Sequence, residues 1–151
     1  EMDLPQECLA VYICPNPRSH EKAGKNLLKV LAERVTVKYD KYNVHQLAMT
    51  ELHKADSRKW VIDFDFDNIP VEKVLTNLPQ HVNMDAVSIL ETRGGFHLLV
   101  EIGKIVPMFS KKWYQGIASL GADVVGDSLV PIPGCCQGNF VPKLRKLEVG
   151  L

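Results

Sequence analysis

Three aspartates alternate with phenylalanines in WVIDFDFD, at positions Asp63, Asp65 and Asp67. A β-strand repeats every two residues, so the three carboxylates project from one face within a few ångström of each other. Like charges so placed repel, and strands disfavour aspartate, so the arrangement calls for compensation. A hard divalent cation supplies it, because magnesium takes carboxylate oxygens and completes its shell with water and phosphate. A solvated edge strand showing three acids is the other reading of the same residues.

His97 enters the apolar stretch Leu98-Leu99-Val100 directly after Arg93-Gly94-Gly95-Phe96. Glycines let backbone amides come close to an anion, and an arginine can grip phosphate oxygens with two parallel hydrogen bonds. Arg93, Gly95 and His97 are therefore candidates for contacting a phosphorylated ligand. A histidine at a strand start also serves as an ordinary hydrogen-bonded structural residue, and that reading stays open. Asp127 lies in GDSLVPIPG, just before an extended segment closed by Pro133-Gly134. By itself it reads as a turn aspartate, with Asp123 a nearby rival.

The elements that must position these groups follow from periodicity and punctuation. LAVYIC, Leu9 to Cys14, is a short apolar run closed by Pro15-Asn16-Pro17, and it predicts a buried strand. Ser19 suits the N-cap of a helix over 21–34, where Ala23, Leu27, Leu28, Val30 and Leu31 recur at helical spacing. Lys22, Lys25 and Lys29 fall mostly on its opposite face. A second helix is predicted over 44–54, with Leu47, Ala48 and Leu52 inward. The aspartate strand runs over 60–66 with Trp60 in the core, and Pro70 opens a helix reaching Leu78. Strands over 85–91 and 96–102 flank Thr92-Arg93-Gly94-Gly95, where a glycine pair signals a hairpin through positive φ. A helix over 110–120 stops at Gly121. Its Lys111-Lys112-Trp113-Tyr114 reads as a solvated basic face with core aromatics, and also as a single-strand contact. Lys143, Arg145 and Lys146 form a basic patch open to the same two readings. The fold class is α/β (α+β): one domain, a mixed and largely antiparallel sheet with flanking helices.

Composition limits the function classes. The 151 residues suffice for one core-forming domain, 46% hydrophobic and 24% charged. Lysine plus arginine equals aspartate plus glutamate, 18 each, which argues against a protein that coats nucleic acid by bulk charge. Cys8, Cys14, Cys135 and Cys136 lack a CxxC spacing, and free thiols in a reducing cytosol are expected. No run of about 18 apolar residues is present to span a membrane, so a cytoplasmic location is expected. The start at Glu1-Met2 leaves room for a longer parent protein.

Taken in order, WVIDFD, ETRGGFHLLV and GDSLVPIPGCCQG resemble the archaeo-eukaryotic primase superfamily, which includes primase-polymerases of plasmids, phages and mobile elements. That superfamily shows an apolar run ending in Asp-x-Asp, a small residue two before a histidine, and then a further aspartate. The matching positions are Asp63 with Asp65, Gly95 with His97, and Asp127. PIPGCCQGN is similar to a Pro-Gly segment following the third acid in several members, and CPNPRS to an Asn-Pro segment near their start. The likeness runs from about Cys14 to Gly138. Pro131 and Ile132 stand where relatives often carry a basic residue, and neither a zinc-binding cysteine set nor a helicase segment is present.

The resemblance implies an RRM-like core and a DNA primase or polymerase activity that adds nucleotides from NTP or dNTP on a DNA template. It implies that Asp63, Asp65 and Asp127 hold two divalent ions, Mg2+ or Mn2+, and that His97 contacts the incoming triphosphate with Arg93 assisting. Single-stranded or primed DNA, and a helicase or another replication protein, are the implied partners. The chemistry is consistent, since two metals about 3.5–4 Å apart activate an attacking hydroxyl and neutralise a leaving pyrophosphate. Two alternatives stand beside it. One is a non-catalytic nucleotide- or nucleic-acid-binding module of the same fold. The other is a metal-dependent nuclease or phosphodiesterase, because the same carboxylates can activate water.

Overall fold

A computed structural model of the chain describes residues 10–37, 43–56, 58–127 and 129–147. The protein is of the α/β class, with four α-helices and two antiparallel sheets of two and five strands among the described residues. Asn16–Lys59 form one compact unit; the chain on either side of it, through Pro15 and from Trp60, forms the other.

The first unit is a helix pair. Helix α1 (His20–Val37) begins where the Ser19 hydroxyl accepts the Lys22 N–H at 3.1 Å, as its sequence position predicts. Helix α2 (Val44–Lys54) is capped by Asn43, whose side-chain oxygen accepts the Gln46 N–H at 3.2 Å. Ser19 N–H donates to the Ala55 carbonyl, and Arg18 pairs with Asp56, which ties the start of α1 to the end of α2. The expected faces hold only in part. Leu28 is exposed, and the buried residue of α2 is Glu51, held by Lys54 one turn on.

The second unit is built on a five-stranded sheet. Its strands are β2 (Val61–Asp67), β3 (Val87–Glu91), β4 (Gly95–Glu101), β5 (Val124–Gly126) and β7 (Lys143–Lys146), in the order β5-β2-β4-β3-β7. Alternation sorts the side chains by face. Ile62, Phe64, Phe66, Phe96, Leu98, Val100, Val87 and Ile89 lie in the hydrophobic core, completed by Val74 of α3 (Val71–Asn77), Leu78 and Ile117 of α4 (Trp113–Ala118). Phe66 and Phe96 stack with centroids 5.0 Å apart, and Trp113 meets Phe64 edge-on at 6.0 Å. Trp113 thus follows the core reading of its segment, while Lys111 and Lys112 are exposed. Pro70 sits at the cap of α3, and Gly121 ends the α4 region with φ +105°.

Three expectations need correction. The LAVYIC strand reduces to β1 (Tyr12–Ile13), paired with β6 (Val130–Pro131), and Val11, Tyr12 and Ile13 are exposed; Leu9 lies outside the described residues. An apolar run shows strand tendency but not which layer will cover it. Trp60 is 51% exposed rather than in the core, and it precedes β2, which starts at Val61. The 92–95 hairpin forms, yet neither Gly94 nor Gly95 is among the positive-φ glycines. Instead a Cβ on Gly95 would collide with the Phe66 carbonyl oxygen, so glycine is needed there for close approach of β4 to β2.

Candidate active site on the polar face of the sheet

The sheet face opposite the core carries the acids. Asp63, Asp65 and Asp67 alternate with the buried Ile62, Phe64 and Phe66, as the strand period requires. β2 lies between β4 and β5, with Asp63 opposite Leu99 and Gly126, and Asp65 opposite His97 and Val124. It is therefore a central strand, and the solvated-edge reading of these acids does not apply. Exposure falls along it: Asp67 is open, the Asp65 side chain is 26% exposed, and the Asp63 side chain is 1% exposed.

His97 joins this row from β4. Its Nδ1 lies 3.0 Å and 3.2 Å from the two Asp63 oxygens and 3.6 Å from Asp65 Oδ1. A carboxylate only accepts, so Nδ1 carries the proton and donates it to Asp63. Nδ1 is thus committed to structure, and Nε2 is the nitrogen available to a ligand. Leu90, the register partner of His97 on β3, is fully buried on the same face.

The electrostatics are those of crowded acids. Burial alone would lower the His97 pKa, but the hydrogen bond to Asp63 and the charges of Asp63, Asp65 and Asp67 prevail and raise it. Asp65 is also shifted up, first by burial; the nearby His97 opposes this, while Asp67, Asp63 and Asp123 reinforce it. When protonated, His97 is one positive charge set among several carboxylates, and at Asp65 burial and the neighbouring acids outweigh it.

The other candidates are placed as follows. Asp127 comes directly after Gly126, the residue opposite Asp63, so its backbone reaches the same point along β2. Gly126 has φ +153°, which turns the chain out of β5 at that position. Asp123 has a role that its sequence position did not announce. Its N–H donates to the Asp65 carbonyl at 2.8 Å, and its Oδ2 accepts the Asp67 N–H at 2.8 Å, so it clamps the end of β2. The only signal for it in the sequence was an aspartate just after a helix stop. Arg93 is exposed at the hairpin tip, and Gly95 starts β4 beside Asp67.

Asp63 and Asp65 are the residues here that could contribute oxygens to a hard divalent cation. Asp65 offers a partly open carboxylate whose charge His97 offsets only in part, and Asp63 retains lone pairs beyond those turned to His97. Magnesium is commonly held by one or two carboxylates with substrate phosphates and water supplying the rest. Among the described residues no three Asp, Glu, His or Cys side chains are gathered closely enough to hold a metal alone. The structure therefore brings Asp63, Asp65 and His97 together without joining Asp127 to them in a ready cage. Cys14, Cys135 and Cys136 are free thiols, while Cys8 lies outside the described residues. Among the described residues no helix is long and apolar enough to cross a membrane.

No protein-family model, curated protein or solved structure matches this chain.

Proposed function

We propose that the chain is a nucleotidyltransferase of the DNA primase-polymerase type, joining nucleotides from NTP or dNTP on a DNA template. The observation that carries the reading is the Asp63–His97 pair beside Asp65: a buried carboxylate orients a histidine, next to a second, partly open carboxylate 3.6 Å from the same ring nitrogen. In this reading Asp63 and Asp65, with Asp127 as the third acid, hold Mg2+ or Mn2+. Bound metal would lower the pKa of the attacking hydroxyl and offset charge on the leaving pyrophosphate.

The chain's own residues do the rest. Asp63 keeps a proton on Nδ1, so that the protonated ring presents Nε2–H to donate a charge-assisted bond to a triphosphate oxygen. The hydrogen bond to Asp63 and the neighbouring carboxylates raise the His97 pKa and so favour the protonated ring that makes this bond. Arg93, at the mobile reach of a long side chain, adds contacts to the outer phosphates, and Gly95 keeps the floor beside Asp67 clear. The phenylalanines beneath hold the carboxylates on a rigid strand.

The test is incubation with labelled nucleotides, magnesium or manganese, and single-stranded DNA, with and without a primer. Template- and triphosphate-dependent incorporation that is lost in Asp65→Asn is expected. Shortening of labelled DNA in the absence of triphosphate would replace this reading by a nuclease, and oligonucleotide binding with neither reaction would replace it by a binding module.

A further inference from the structure

The overall charge balance conceals a division. Asn16–Lys59 contain ten lysines and arginines against five acids, whereas the remaining 107 residues contain eight against thirteen. The neutral chain is thus a helix pair of net charge +5 and a sheet unit of net charge −5, with histidines taken as neutral. An acidic catalytic face repels a polyanion, so a substrate made of phosphodiesters needs an attractive surface elsewhere on the chain.

Helix α1 offers one. Lys22, Lys25 and Lys29 fall on one side of it and, with Ser19, Glu21 and Asn26, line an open groove of about 350 Å³. From Lys22 to Lys29 the helix rises about 10 Å, enough to meet more than one phosphate of a strand. Lys25 pairs with Glu21 at 2.5 Å, but both side chains are more than two-thirds exposed, so the pair is weak and a phosphate can displace it. Lys22 and Lys29 make no ion pair among the described residues. The groove is shallow and has no large apolar lining, which suits neither an enclosed small ligand nor insertion into a lipid surface.

We infer that the Lys22–Lys25–Lys29 face of α1 binds the phosphate backbone of single-stranded nucleic acid. The choice of a single strand rests on the proposed template-copying function; the choice of a phosphate polymer rests on charge division and groove alone. Asn26 and Ser19 add neutral donors to phosphate oxygens, and the contact reads no base sequence.

The test uses the full chain, in EDTA and without triphosphate, so that metal chemistry plays no part. Anisotropy of a labelled single-stranded oligonucleotide is followed from about 25 to 200 mM salt, with log Kd plotted against log salt. Each lysine–phosphate contact in a single strand contributes roughly 0.7 to the slope, so Lys22→Ala with Lys25→Ala and Lys29→Ala should reduce it by about 2. At low salt the same variant should weaken binding by about tenfold or more. Lysine and alanine are both good helix formers, so α1 should persist, and circular dichroism checks it. If the alanine variant does not fold, Lys→Gln at the same three positions replaces it.

Lys111→Ala with Lys112→Ala and Lys143→Ala removes equal charge from the sheet unit and should leave most of the slope. An unchanged slope in the α1 variant, a larger loss in the sheet-unit variant, or no binding by the parent would overturn the inference. So would tighter binding to phosphatidylserine vesicles than to the oligonucleotide. Lysine-dependent oligonucleotide binding without nucleotide incorporation would leave the inference standing and remove the proposed reaction.

Discussion

At the residue scale the informative group is His97, because its two ring nitrogens have separable roles. Simple truncation confuses them. His97→Ala removes any ligand contact and also leaves the buried Asp63 carboxylate without its donor, which costs stability in its own right. His97→Asn is the better variant, since the asparagine amide can donate toward Asp63 from about the place of Nδ1, while Nε2 is lost. With a triphosphate contact at Nε2, His97→Asn should keep a near-normal Tm and lose about 10-fold to 150-fold in triphosphate affinity or transfer rate, equivalent to 1.5–3 kcal/mol. Titration and melting of one preparation check this. Full affinity in His97→Asn would make the histidine a purely structural partner of Asp63.

The same residue sets a pH dependence whose sign follows from its shift. A histidine whose folded pKa is raised stabilises the fold fully below its unfolded value, near 6.5, and that contribution is lost as pH rises through the folded pKa. The metal-free protein should therefore lose Tm as pH rises past about 6.5 and through the raised His97 pKa, and His97→Asn should flatten that fall. Asp65 has the opposite consequence for stability at neutrality. A carboxyl raised above 3.8 is unfavourable when ionised, a cost absent below the unfolded pKa and fully present above the folded one. Asp65→Asn should then raise the Tm of the metal-free protein by about 1–3 °C at pH 7 while weakening manganese binding. Calorimetry with unchanged manganese affinity would remove Asp65 from the metal site.

At the scale of elements, the close approach of β4 to β2 makes the site possible, and Gly95 is its weak point. A methyl group there meets a backbone carbonyl rather than the end of a flexible side chain, so the strands must separate to admit it. Gly95→Ala should cost about 1–3 kcal/mol, read from denaturant unfolding, and should loosen the Asp63–His97 pair with it. Gly94→Ala, whose added carbon only touches Asp67 Oδ1 at 3.6 Å, should be close to neutral. What could be read from the sequence at this scale was whatever is encoded locally. Helix α2 spans the expected residues because Asn43 caps it and its apolar spacing is local. The aspartates share a face because strand geometry demands it, and the 92–95 hairpin brings β3 beside β4. The misread features depend on distant pairing. Within LAVYIC only Tyr12–Ile13 form a strand, its partner is β6, more than a hundred residues away, and nothing in the local pattern shows that Val11, Tyr12 and Ile13 stay exposed. The closeness of Asp63 to His97 came from the order of motifs; that Nδ1 would reach past its register partner Asp65 to Asp63 did not.

At the scale of the whole molecule, hydrophobic burial is divided as unevenly as charge. The core cluster lies entirely between Ile62 and Ile117, whereas the only buried hydrophobic residues described within Asn16–Lys59 are Ala23 and Ala55. Two alanines bury little area, and burial of apolar area is the main favourable term in folding. The helix pair therefore depends on its caps, the Ser19–Ala55 backbone bond and the Arg18–Asp56 and Glu51–Lys54 ion pairs. Local opening should then cost less in α1 and α2 than in the sheet. Native-state hydrogen exchange should show β2, β3 and β4 amides, such as those of Phe64, Ile89 and Leu98, exchanging only through global unfolding. Amides of α1 and α2 should exchange through a smaller opening at lower free energy. Anything that binds the closed form of the helix pair raises that free energy by mass action, about 2.7 kcal/mol at a hundredfold excess over Kd. A single-stranded oligonucleotide at such a concentration and low salt should therefore slow exchange in α1 selectively and leave the sheet amides unchanged. Equal protection of helices and sheet in the free protein would show one cooperative unit instead, with the helix pair drawing its stability from the same core.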